Sequence, residues 1–350
     1  MIIRLATDAD QPAWDDYVDH HPHGLAYHRY AWRQAVEKAY RHVGYYLLAE
    51  RSAEIAGVLP LIDFRMPLGR GKLVSLPFCD VGGVLAEDAE AADLLLEAAA
   101  RVARKIKSRF LELRCGRSGG ADTALADQQA AKVRMVLNLP VGAEELLAGF
   151  RAKLRSQIKK PLRDGLTSCI GGSELLEDFY KIFCENMRDL GSPVHSKHWI
   201  KSVVAAYGDR ARLGLVRAPD GSPAAAGIIL LQRSTVSIPW ASALRRYNSF
   251  NPNMLLYWTF LAFAADNGFA RFDFGRSTPG EGTFKFKEQW GAHPEPLCWQ
   301  IFTPDGRLRP AGDLEGTPSK NRRRAEALWR RLPLVLTNLV GPVVRGHVAL

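Results

Sequence analysis

The stretch RFDFGRSTPGEGTFKFKEQWG, Arg271 to Gly291, sets cations, glycines and a carboxylate at spacings suited to an anion and a proton. Arg276 follows an alternating run that reads as a strand, and the ends of such strands are where α/β proteins place function. Gly280 and Gly282 could bring backbone amides close to a phosphate or an acyl oxygen. The spacing R-x-x-x-G-x-G is neither the P-loop nor the dinucleotide fingerprint, and a plain turn between two strands is the alternative. In TFKFKE, Lys285 and Lys287 alternate with Phe284 and Phe286, so on a strand both lysines would line one face. Such a wall neutralises phosphate or stabilises the oxyanion of acyl transfer, with Lys287 the first choice. A solvated edge strand is the alternative.

Chemistry of this kind also needs a group to take up a proton, and a nearby acid or histidine could do so. Asp273 and Glu281 lie within the same stretch, and His195 stands in SPVHSKHW at the start of a helix. Asp80, in FCDVGG, sits where a strand runs into a glycine pair and could form a second wall of a cleft. Trp240 shares a strand face with Val236 and Ile238, which fits core packing, while Arg245 beyond it could reach a pocket. None of the five cysteines stands in a nucleophile context. The cluster His20, His21 and His23 lacks a further element at ligand spacing, so no metal is expected.

The composition frames this chemistry. The chain has 350 residues, 47% hydrophobic and 24% charged, enough for one large or two medium domains. A net charge of +10 favours anionic partners. Unpaired, odd-numbered cysteines fit a reducing cytosol. The start, MIIRLATDADQPAWDDY, puts acids where a signal peptide needs an apolar core, and no window has the roughly 18 apolar residues of a span. The expected location is therefore cytoplasmic, with peripheral contact at the inner membrane face as an addition.

Periodicity then gives the elements. MIIRLA reads as a strand and TDADQPAWDDYVDH as a helix, capped by Thr7 or Asp8, with Pro12 in its first turn. A second helix, a hairpin around Glu50–Glu54, a strand into Gly82–Gly83, a helix from Ala89 and the strand SRFLELRCG follow. The second half repeats the order. Its helices end at Gly191 and Gly208, three strands run from Ala211 to Leu244, and a helix opens at Asn251–Pro252 and leads to the strand FARFDF. Between the halves, Phe150, Leu154, Ile158 and Leu162 mark one face of a basic helix that Pro161 should end or kink. The fold class is α/β with mixed sheets.

The motifs GTFKFKEQWGA after RFDFG and KLRSQIKKPLRDGL resemble the Fem-type peptidoglycan aminoacyltransferases, with Phe286, Lys287, Trp290 and Gly291 matching the closing motif. SLPFCDVGG, PVHSKHWI and VSIPWASALRRYNSFNPNMLLYW are similar to a bacterial Fem-like subgroup associated with exosortase and exopolysaccharide systems. The resemblance covers most of residues 1–300. It implies two tandem GNAT-like N-acyltransferase domains, here 1–150 and 151–300, the second opened by the basic helix. It also implies acyl or aminoacyl transfer to an amine, with aminoacyl-tRNA as donor in the peptidoglycan branch; the expected acceptor is an amine of a cell-envelope or exopolysaccharide-related molecule. No tightly bound cofactor is implied, and the donor is aminoacyl-tRNA or acyl-CoA. The family's tRNA-binding helical hairpin has no counterpart in the sequence, and the R/Q-x-x-G-x-G/A loop of CoA enzymes is missed by one residue. A second reading is an acyl-CoA-dependent GNAT acetyltransferase, and a third is a non-catalytic membrane- or nucleic-acid-binding protein. Residues 301–350 form a basic and apolar extension. It is expected either to pack back on the first domain or to rest on a membrane.

Overall fold

The computed structural model describes residues 1–65, 71–116, 132–309 and 320–348. The chain forms two compact units that exchange segments. Unit 1 comprises Met1–Val133, Glu295–Ser319 and Gly346–Leu350, and unit 2 comprises Arg134–Pro294 and Lys320–Arg345. These bounds differ from a division at residues 150 and 300.

Unit 1 opens with the strand Ile2–Leu5 and the helix Gln11–His20. Before the helix, Asp10 Oδ2 accepts from both the Thr7 backbone N–H (2.7 Å) and the Thr7 hydroxyl (2.9 Å). The expected hairpin is Leu47–Arg51 with Glu54–Leu59, and Ser52 and Ala53 turn it through φ values of 53° and 67°. The helix Ala89–Lys105, capped by Asp88, connects the strand Lys72–Val74 to the parallel strand Leu111–Gly116. Parallel strands need such a crossover. Its face of Ala91, Leu95, Ala98 and Ala99 packs with Leu47, Leu59, Leu73 and Leu113 into the core. Cys298 to Phe302, far along the chain, return to pair antiparallel with Leu111–Cys115.

Unit 2 is built on an antiparallel run of strands, Thr167–Gly171, Ala211–Arg217, Pro223–Gln232 and Thr235–Ala243. The helix Pro252–Asp266 then crosses to the parallel strand Arg271–Ser277. This helix packs on the sheet through Phe260, whose ring occupies the space that Cβ atoms would take at Gly214 and Gly227. Those glycines are cross-strand partners, so together they make the hollow that Phe260 fills. The helices Leu176–Leu190, stopped by left-handed Gly191, and Lys197–Tyr207, capped by Ser196, complete the unit.

The structure departs from the sequence reading in three places. GTFKFKE is not a strand but the helix Gly282–Glu288. The basic helix Ala152–Arg163 runs two residues past Pro161, and the proline itself is buried while Leu162 is exposed. The C-terminal apolar run forms the helix Leu334–Arg345, and it belongs to unit 2 beside the helix Leu176–Leu190 rather than to the first domain's core. Residues 310–319, 349 and 350 of the expected extension, and the side chain of Arg322, lie outside the described residues.

Candidate active site

The site begins with a defect in a strand. Opposite Thr235–Ala243, Ile228 pairs with Trp240 but Leu230 pairs with Ser237, so Ile238 and Pro239 together face Ile229. One extra residue in a strand is a β-bulge, which bends the strand and increases its twist. Pro239 has no N–H to give to a ladder and is at home in such a bulge. On the other side, pairing with Arg271–Ser277 runs from Thr235↔Arg271 to Ser237↔Asp273 and stops there. Both strands continue, one to Ala243 and the other to Ser277, without pairing to each other. Two parallel strands thus part at the bulge.

A cluster of side chains fixes the end of Arg271–Ser277. Gly275 has φ 72°, a left-handed conformation that costs an L-residue its ease. That turn lets two successive carbonyls meet one cation: Lys287 Nζ donates to the Gly275 oxygen at 3.0 Å and to the Arg276 oxygen at 2.8 Å. Asp273 Oδ1 accepts from the Gly275 N–H at 2.8 Å, and its Oδ2 lies 3.6 Å from Arg134 Nη1. Lys287 and Asp273 are both buried.

The helix Gly282–Glu288 delivers Lys287 to this point. Tyr257 stacks on Phe274 at 5.6 Å and meets the Phe286 ring edge-on at 5.0 Å. Trp290, fully buried, packs near Phe286 and Phe150. Aromatic contacts thereby press the helix onto the strand, and burial pushes the Tyr257 hydroxyl well up, so it stays protonated. On a helix, residues two apart point in nearly opposite directions. Lys285 is therefore exposed while Lys287 is buried, and the two do not form a common wall.

The remaining sequence candidates fall as follows. Arg276 is half-buried, and Gly280, Glu281 and Gly282 are exposed, with Glu281 at the N-cap of the helix. Gly280 has φ 82°, and open space surrounds both glycines. Trp240 is buried and faces the His195 ring at 6.3 Å. His195 is buried, and Arg345 Nε donates to its Nε2 at 3.1 Å. Burial, reinforced by the Arg345 charge, holds its pKa well below the usual histidine value, and the lone pair a base would use is engaged. Arg245 is exposed and donates to the Asp189 carbonyl at 2.7 Å. Asp80 belongs to unit 1. Its loop is pinned by its carbonyls: Trp299 Nε1 donates to Asp80 O at 3.0 Å, Arg114 to Cys79 O at 2.8 Å, and Trp32 to Pro77 O at 3.0 Å. Phe78 in that loop has φ 67°, a strained value for a bulky residue. Burial pushes the thiols of Cys115 and Cys184 up to about 11 and that of Cys79 higher still, against a thiolate nucleophile.

Sequence reasoning did not single out Arg134, Tyr257 or Pro239. Proline inside a strand pattern is a bulge signal and could have marked the last.

Comparison with known proteins bears on the fold. Residues 148–288 match the family described as "Acetyltransferase (GNAT) domain". No curated protein matches the chain. Among solved structures, FemX has 16% identity and a TM-score of 0.69, over 85% of this chain and 95% of its own. The C-terminal domain of a putative lysylphosphatidylglycerol synthetase from Agrobacterium fabrum has 13% identity and a TM-score of 0.57, over 87% and 93%. A tandem GNAT protein from the clavulanic acid biosynthesis pathway has 12% identity and a TM-score of 0.54, over 87% and 98%. The fold is that of GNAT proteins, and with the matched domain the chain is an acyltransferase.

Proposed function

We propose that this acyltransferase works in the Fem-like manner, moving an acyl or aminoacyl group onto an amine of a cell-envelope or exopolysaccharide-related acceptor. The observation that carries the reading is the parting of Thr235–Ala243 from Arg271–Ser277 at the Pro239 bulge. An extended, amide-bearing arm can add to a strand edge as a further strand would. That preference favours an acyl-CoA donor as the second reading beside aminoacyl-tRNA. Both donors are anionic. Unit 2 offers them Arg276 and Lys285, with the exposed Lys153, Lys159 and Arg163 of the helix Ala152–Arg163.

In this mechanism the donor's carbonyl carbon lies beside the bulged strand, where backbone N–H groups receive the oxyanion. The acceptor nitrogen forms its bond to that carbon, its proton passes to Glu281, and the thiolate or ribose oxygen of the donor leaves. Glu281 is chosen because its carboxylate is exposed, whereas Asp273 is buried with Arg134. Lys287 acts as a positioning residue that holds the strand end in shape. The FemX and lysylphosphatidylglycerol synthetase likenesses are consistent with an aminoacyl group and an envelope acceptor.

Titrating the full chain with acetyl-CoA and with charged tRNA, while following melting temperature and transfer to amine acceptors, tests this. A donor present at about 100 times its Kd should stabilise the fold by about 2.7 kcal/mol. Absence of both stabilisation and transfer with either donor would refute the reading.

A further inference from the structure

The helix Leu334–Arg345 presents the wrong side to water. Thr337 and Gly341 are its buried positions, with Gly341 against Val194. The opposite side carries Val335, Leu336, Leu339 and Val343 and no charge, with Val340 exposed at its flank. Val335, Leu339 and Val343, at helical spacing, are 78%, 71% and 66% exposed. A contiguous apolar patch on the order of several hundred Å² marks an interaction surface. The occupant is indicated by charge: Arg323, Arg324 and Arg331 are exposed in the segment that leads into this helix. Leu328, in the same segment, is 64% exposed as well. Apolar side chains with arginines beside them match acyl chains beneath anionic headgroups. A helix of 12 residues is about 18 Å long and cannot cross a hydrocarbon layer of about 30 Å. Among the described residues, no helix is long and apolar enough to do so.

We propose that the face Val335–Leu339–Val343, with Arg323, Arg324 and Arg331, is a docking surface for an anionic lipid bilayer on which the helix lies flat. The binding does not depend on the acyl-transfer reading, because lipid attachment is read without turnover.

The test is flotation of the full chain with vesicles of phosphatidylcholine alone and of phosphatidylcholine with phosphatidylglycerol. The intact chain should float with the anionic vesicles and lose recovery as salt rises. The exposed-site substitutions Val335→Asp and Leu339→Asp should each cut the partition coefficient at least about tenfold at unchanged melting temperature. If either lowers the melting temperature, Leu339→Asn replaces it, with the same loss expected. Reversing Arg323, Arg324 and Arg331 to Glu should cost about fivefold each on anionic vesicles and nothing on neutral ones. No flotation of the intact chain, or equal flotation of Leu339→Asp, overturns the proposal. So does a dimer in sedimentation that Leu339→Asp disperses while vesicles recover neither form, since a second copy would then cover the face.

Discussion

Lys287 Nζ lies 2.8 Å from the backbone oxygen of Arg276, and with the Gly275 oxygen at 3.0 Å it ties off a strand end that has parted from Thr235–Ala243. Truncating Lys287 to Met would leave those half-buried carbonyls without this donor. Unsatisfied buried groups cost about 1–3 kcal/mol each, so Lys287→Met should lower stability by about 2 kcal/mol and reduce turnover as the strand end shifts. Lys287→Arg keeps the donors and should recover part of both. Urea unfolding beside initial rates checks this; lost rate at full stability in the Met variant would return Lys287 to a direct role in the reaction.

His195 makes stability depend on pH. Its folded pKa is well below the 6.5 of an ordinary histidine because burial and Arg345 oppose the charged ring. The unfolded chain therefore takes up a proton that the folded chain refuses. Stability is complete above about pH 6.5 and falls as pH drops below it, by at most about 1.4 kcal/mol per pH unit for this residue. His42 shifts in the same direction through burial, so the two add. His195→Gln should flatten the slope of melting temperature between neutral and mildly acidic pH. An unchanged slope would mean that His195 does not titrate in this range.

In unit 1, Arg114 is buried and its Nη2 holds Glu112 Oε1 at 2.6 Å, while Lys72 holds the other carboxylate oxygen at 2.5 Å. The two cations keep Glu112 ionised despite its burial, with its pKa below the usual range. Arg114→Met removes one partner and should cost about 3 kcal/mol, the lower end for a broken buried pair because Lys72 remains. Adding Glu112→Gln to that variant should restore part of the loss. A double-mutant cycle in urea reads the coupling, and simple additivity would show that the pair does not interact.

Much of the fold was legible because its signals are local. Asn251 and Pro252 open a helix, Gly191 closes one, and Arg51–Glu54 close a hairpin, each through backbone preferences of the residues themselves. The helix Gly282–Glu288 was not legible. Phe284, Lys285, Phe286 and Lys287 alternate as a strand would, and what outweighs that pattern is tertiary: Tyr257 against Phe286, and two carbonyls waiting for Lys287. Arg276, Asp273 and Lys287 were found by residue type, yet their arrangement came from Gly275 and Arg134, which carry no chemical signature in sequence. The engagement of His195 by Arg345 spans 150 residues and no local pattern could reveal it.

The exchange of segments between the units has a consequence for synthesis. The strand Leu111–Gly116 is translated early, but its antiparallel neighbour His293–Phe302 emerges from the ribosome only after most of unit 2. Unit 1, first to be made, is thus completed late, and one edge of Leu111–Gly116 waits for its partner through the synthesis of the intervening chain. A strand edge kept waiting is open to mispairing with other nascent chains. The order of translation and the order of completion are reversed in this protein, and neither unit can be cut out as one uninterrupted piece of gene.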